Sequence, residues 1–268
     1  MVRRLVLVFA LLALSACRPD TVDLKYLYET GEELNYTMVA TAHSSWDIGG
    51  RGEGSYKVTF EVSEVVESSD ENGAVLDISL TPTDVVERGL PSPGTGTRSF
   101  TLRVGPSGEV LEVVAVDDVP AASLDPDQLV FIGTYRPPLA LDPVGLRDTW
   151  SSSQEVQVGP VFQQVETLGT LKSLDRDGDG SFARVDYSGE GPLSYTTTLP
   201  QGTAELTGAA ATTTDATFDL GSGFLRSSDS TTEGSFEVRV VPALGGAPLT
   251  GTLRFELNLD LELAPEDL

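Results

Sequence analysis

The chain has 268 residues, 41 acidic side chains against 17 basic ones, and a formal net charge of −24. A surface this negative argues against nucleic acid as a partner, and against anionic headgroups as a target for the protein surface. One cysteine and one histidine leave little basis for disulfides, thiol catalysis or zinc hydrolysis.

The chain opens with MVRRLVLVFALLALSAC. Arg3 and Arg4 form a short basic region, residues 5–14 an apolar run, and Ser15 and Ala16 lead into Cys17. The run is too short to span a bilayer and reads as an export signal over residues 1–16. Ordinary cleavage after Ala16 wants a small residue at position 14, where Leu14 stands. The string Leu14-Ser15-Ala16-Cys17 instead has the pattern of a bacterial lipobox, with Cys17 as the acylated first mature residue. Acyl chains, at ~0.8 kcal/mol per buried CH₂, then hold the protein to a membrane on the extracytoplasmic side of the cell envelope.

Residues 17–120 read as an N-terminal β half of short alternating runs broken by Gly, Pro, Asn and Asp. Val58, Phe60 and Val62 repeat with period two, as do Leu76, Ile78 and Leu80, then Phe100, Leu102 and Val104. This is the pattern of half-buried antiparallel strands. Residues 121–144 read as a short helix and a Pro-rich connector. Asp125 can cap, Pro126 suits the first turn, Leu129 and Ile132 follow, and Pro137 and Pro138 stop it. Residues 145–268 read as a C-terminal β half. Phe236, Val238 and Val240 alternate there, and in TLRFELNLDLEL the residues Leu253, Phe255, Leu257, Leu259 and Leu261 all face one way. The fold expected is all-β with one short helix: a curved antiparallel sheet or half-barrel built from two repeated β-rich halves.

The repeat rests on order. GEELNY and GLRDTW each lead into a strand, and each is followed by a strand, an acidic turn and a returning strand. FTLRVGPSGEVLEV and ATFDLGSGFLRSS then supply two strands about a Gly-rich turn. Taken with the lipobox, the G-x-x-L-x-Y opening, the Phe100 to Val110 hairpin and the Pro-Pro-Leu connector into Arg147-Asp148-Thr149-Trp150, this order resembles uncharacterised bacterial lipoproteins with duplicated β halves. More distantly it is similar to the LolA/LolB and LprG-like envelope lipoproteins. That resemblance implies a curved sheet holding a lipid or other hydrophobic molecule on its concave face. It transfers no individual residue, and Arg147 stands where the family usually has Gly.

Chemistry concentrates in SLDRDGDGSFARVDYS. Asp175, Asp177 and Asp179 alternate, Gly180 follows, and Asp186 is twelfth counted from Asp175, the spacing of an oxygen-ligand calcium loop. Ca²⁺ would take these four carboxylates and the Ser181 carbonyl. Against this, Asp179-Gly180 aligns with Asn72-Gly73 of the first half, a dipeptide suited to a hairpin turn. Both readings stand at this level. His43, in ATAHSSWDIGG, reads as an exposed loop histidine. No Gly-x-Ser-x-Gly elbow or phosphate loop occurs, and no enzyme activity is expected. The functional expectation is a lipid-anchored envelope protein that binds a hydrophobic ligand. The alternative is a structural or interaction module with no internal ligand, with calcium as its stabilising ion.

Overall fold

The computed structural model describes residues 21–91, 96–124, 136–158, 161–177, 180–199 and 202–265. In chain order its strands are β1 (Thr21–Val22), β2 (Glu33–Ile48), β3 (Arg51–Asp70), β4 (Gly73–Glu87), β5 (Leu90–Pro91), β6 (Arg98–Val104), β7 (Val110–Val116) and β8 (Val119–Pro120). After the connector come β9 (Val144–Gly145), β10 (Thr149–Val158), β11 (Val161–Asp177), β12 (Gly180–Leu199), β13 (Gly202–Asp219), β14 (Phe224–Pro242) and β15 (Leu249–Leu263). The expected helix falls largely on residues outside those described; beside it, Ala121–Ser123 make a single 3₁₀ turn.

Twelve strands follow one antiparallel path, β10-β11-β12-β13-β14-β15-β2-β3-β4-β6-β7-β8, with β5 attached to β4 alone. β10 to β15 form one meander and β2 to β8 another. The last strand of the chain pairs with the first long one, Leu261 opposite Met38 and Leu253 opposite Trp46. The expected all-β, open antiparallel architecture is what the chain adopts. Hairpins turn where residues tolerate positive φ, as at Asp117 and Asp118 (φ 50° and 63°) between β7 and β8.

The sheet is rolled. Ten strand spacings separate β10 from β7, about 48 Å if flat. Yet two adjacent residues of the connector touch both margins. Trp150 Nε1 of β10 donates to the Pro138 carbonyl at 3.2 Å, and Leu139 N–H donates to the Ser107 carbonyl in the β6–β7 turn at 2.8 Å. Residues 136–145 thus form a strap across the seam of an open barrel. Register shifts at Thr59/Phe60, Val66/Ser68, Leu171/Ser173 and Thr217/Phe218 mark bulges, which add the local bend such rolling requires.

The main core lies inside the roll and draws on both meanders: Leu76, Leu102 and Met38 meet Leu171, Ala216 and Leu261, with Leu24, Tyr26, Leu139 and Ala140 filling the centre. Full burial of one such leucine contributes about 1.5–3 kcal/mol. A smaller cluster of Leu193, Leu206, Phe236 and Val238 occupies the same face nearer the other strand ends. Across the barrel wall, aromatic rings lie over glycines on neighbouring strands. Trp46 covers its partner Gly52, Phe255 covers Gly234, and Trp150 covers Gly169; a Cβ at any of these glycines would overlap the ring. The ring replaces the packing that glycine lacks.

Among the described residues one ion pair lies in the core. Arg136 Nε donates to Glu64 Oε1 at 3.1 Å, and the second guanidinium nitrogen meets Glu64 Oε2. The guanidinium stacks 5.0 Å from the Tyr26 ring centroid and 5.8 Å from that of Tyr28. Tyr26 Oη donates to the Pro137 carbonyl at 3.1 Å. The strap is therefore tied to β3 and to the segment before β2 by charge-assisted and aromatic contacts.

Candidate functional site

Directly paired residues of antiparallel neighbours point to the same side of a sheet. On the outer side, opposite the cores, the registers build two acidic rows. One runs Asp186–Asp215–Asp229–Asp260 across β12 to β15. The other runs Glu190–Ala211–Glu233–Glu256–His43–Ser55, from β12 to β3. A groove of about 970 Å³ follows the second row, with Glu53 and Arg254 beside it and Arg88 at one end. A hollow of about 700 Å³ lies over the first, between Lys172, Arg184, Asp186, Asp215 and Asp229.

Like charges side by side repel, and two cations offset part of this. Lys172 Nζ lies 2.5 Å from Asp186 Oδ2, and Arg184 Nε 4.0 Å from Asp215 Oδ1. Asp215 nevertheless keeps its proton to a higher pH than an ordinary aspartate. Partial burial is the first cause; Asp186 and Asp229 add to it, and Arg184 and Lys172 oppose it.

His43 is in strand β2 rather than a loop. The Gly and Ser around it suggested a turn, but His43, Ser45 and Asp47 alternate with the inward-facing Ala42, Ser44 and Trp46. Glu256, His43 and Ser55 stand side by side on three strands, an order suited to proton relay. The Glu256 carboxylate, however, accepts from Asn258 Nδ2 at 2.8 Å, along its own strand. What this face offers is a broad polar surface with a negative field.

The acidic stretch lies where β11 and β12 pair as antiparallel neighbours. Asp175 is opposite Phe182, and its carboxylate accepts from Ser173 Oγ at 3.0 Å. Asp177 is opposite Gly180, and Asp179 lies outside the described residues. The Ser181 carbonyl accepts the Leu220 N–H at 2.8 Å. Asp186 is opposite Thr170, four residues along β12 from Phe182, about 13 Å of strand. Ligands of one calcium lie within about 5 Å of one another. The register therefore does not bring Asp186 to Asp175, because a twelve-residue loop closes only where its flanks fold it back, and here they are strands. Among the described residues no group of three or more His, Cys, Asp or Glu is placed to hold a metal ion. Cys17 also lies outside the described residues.

The two acidic rows were not visible in sequence, since neighbours such as His43 and Glu256 are far apart in the chain. The one signal was alternation: Thr213 and Asp215, or Asn258 and Asp260, mark the polar side of strands whose other side is apolar. Fold and surface together define an open all-β barrel with an acidic outer face. No protein-family model and no curated protein matches the chain.

Proposed function

We propose that this is a lipid-anchored envelope protein that acts as a displayed interaction module, held to a membrane through acylated Cys17. The observation carrying this reading is the division of labour between the two sides of the sheet. On the inner side the chain's own Tyr26, Leu139 and Ala140 occupy the space where a carrier would hold its cargo. On the outer side long strands present two acidic rows, one of them broken by Ala211, with a groove of about 970 Å³. A partner suited to this face carries basic or amine groups, drawn in by the negative field.

A second reading, a carrier of lipid or another hydrophobic ligand, has one observation in its favour. Between the two apolar clusters the inner side bears small residues in one row with Phe255, namely Gly191, Ala210, Gly234, Ser44 and Gly54.

Intact-mass measurement on protein extracted from its own membrane tests the anchor: a diacylglyceryl adduct on Cys17 is expected, and an unmodified Cys17 overturns it. Native mass spectrometry of the Cys17→Ser protein purified from the envelope separates the two roles. A bare protein supports the module, and a co-purifying hydrophobic mass replaces it with the carrier.

A further inference from the structure

We propose that the patch formed by Leu141, Pro143 and Leu146 docks on the membrane leaflet that receives the acyl chains, fixing which end of the molecule faces the membrane. The inference rests on the lipid-anchor reading of Cys17. Thr21 pairs with Gly145 and Val22 with Val144. Cys17 precedes Thr21 by four residues, so at most about 14 Å of extended chain separates the anchor from this pair. Leu141 and Leu146 lie within three residues of Val144 or Gly145, at most about 10 Å away along the chain. A leaflet holding the acyl chains is within reach of both.

The patch cannot retreat into the protein. Leu141 is 78% exposed and Leu146 51%, while Val144 between them is buried in the main core. Backbone bonds pin the segment on both sides. Leu139 N–H donates to Ser107 O, Gly145 N–H to Asp148 Oδ2 and Arg147 N–H to Leu171 O, each at 2.8 Å. Two leucines held outward on a fixed strap, beside a short lipid tether, have the bilayer interface as their natural cover.

Charge selects the kind of leaflet. Lys25 is already paired with Asp23 at 3.0 Å, leaving Arg147 against Asp142 and Asp148 in the patch. At the ends of β3 and β11, Asp70, Glu71, Asp175 and Asp177 outnumber Arg176 and oppose anionic lipid. The fit is to zwitterionic headgroups, whose ammonium groups can meet Asp142. Leu244 offers a contrast. It is fully exposed in the β14–β15 turn, but about 60 Å of strand separates it from Phe224, in the core that also holds Val22.

The test couples the mature chain through its Cys17 thiol to maleimide lipid in phosphatidylethanolamine–phosphatidylcholine vesicles, which tethers it whether or not the cell acylates it. Hydrogen exchange is compared between tethered and free protein. Amides of 141–147 should exchange roughly tenfold more slowly on the vesicle, the factor that burial of one leucine carries, with 243–249 unchanged. Leu141→Ser/Leu146→Ser should abolish the difference while keeping the free protein's circular dichroism. Unchanged exchange at 141–147, equal slowing at 243–249, or stronger slowing on phosphatidylglycerol vesicles each overturns the proposal. Failure of the anchor reading is seen separately, in the mass of the native N-terminus.

Discussion

Arg136 and Glu64 form an ion pair inside the barrel, their side chains 7% and 2% exposed. Removing one of them leaves the other a buried charge without this counter-charge. Glu64→Ala should destabilise the protein by about 3–5 kcal/mol, because the guanidinium loses its counter-charge. The double change Glu64→Leu/Arg136→Met should recover most of that loss. Urea unfolding of the three proteins checks both statements; a double variant as unstable as the single one would contradict them.

Gly234 sits under the ring of Phe255 on the next strand. Gly234→Ala should cost about 1–3 kcal/mol by pushing that ring from its site. In a Phe255→Ala background the same change should be close to neutral. A double-mutant cycle on thermal unfolding measures the coupling.

The aspartate row makes stability sensitive to pH and salt. The raised pKa of Asp215 means its favourable state is the protonated one, present in full below the ordinary aspartate range and lost as pH rises through the raised value. At neutral pH the row is therefore a net strain, reduced by its exposure to solvent. Asp229→Asn should raise Tm by about 1–2 °C at pH 7. The gain should vanish in 1 M salt, roughly a 3 Å screening length. Calorimetry at two salt concentrations decides it.

Tyr187 is buried in the core, and its hydroxyl has no hydrogen-bond partner among the described residues. Burial holds its pKa well above 10, and that of Tyr26 likewise, although Arg136 opposes the rise at Tyr26. Unfolded tyrosine ionises near pH 10, so stability is intact below that point and falls as pH rises toward the folded values. Tyr187→Phe should add about 1 kcal/mol at pH 7 and make the alkaline decline shallower. Urea midpoints at pH 7 and above 10 test this.

The strands were legible because period-two alternation is local: each of Leu76, Ile78 and Leu80 carries its own inside-or-outside label. The strap was only half legible. Pro137 and Pro138 mark a break in regular structure, but nothing near them announces that Arg136 will meet Glu64 or that Trp150 will reach the Pro138 carbonyl. The acidic hairpin shows the same limit from the other side. Its spacing is that of a metal loop, whereas coordination depends on how the flanks fold, and here β11 and β12 stay paired from the loop to beyond Asp186. His43 was misplaced because the turn that Gly49 and Gly50 do make was extended back over it, whereas Ser44 and Ser45 belong to β2.

The pairing of β15 with β2 makes completion of the sheet wait for the end of the chain. Until Leu253 and Leu261 are in place, β2 presents a bare edge on that side. A product truncated before Leu249 would leave two sheets, each with an unpartnered margin and a common interior laid open. The closing strand thus joins the two meanders into one sheet, and a fragment without it keeps two edges open to further strand pairing.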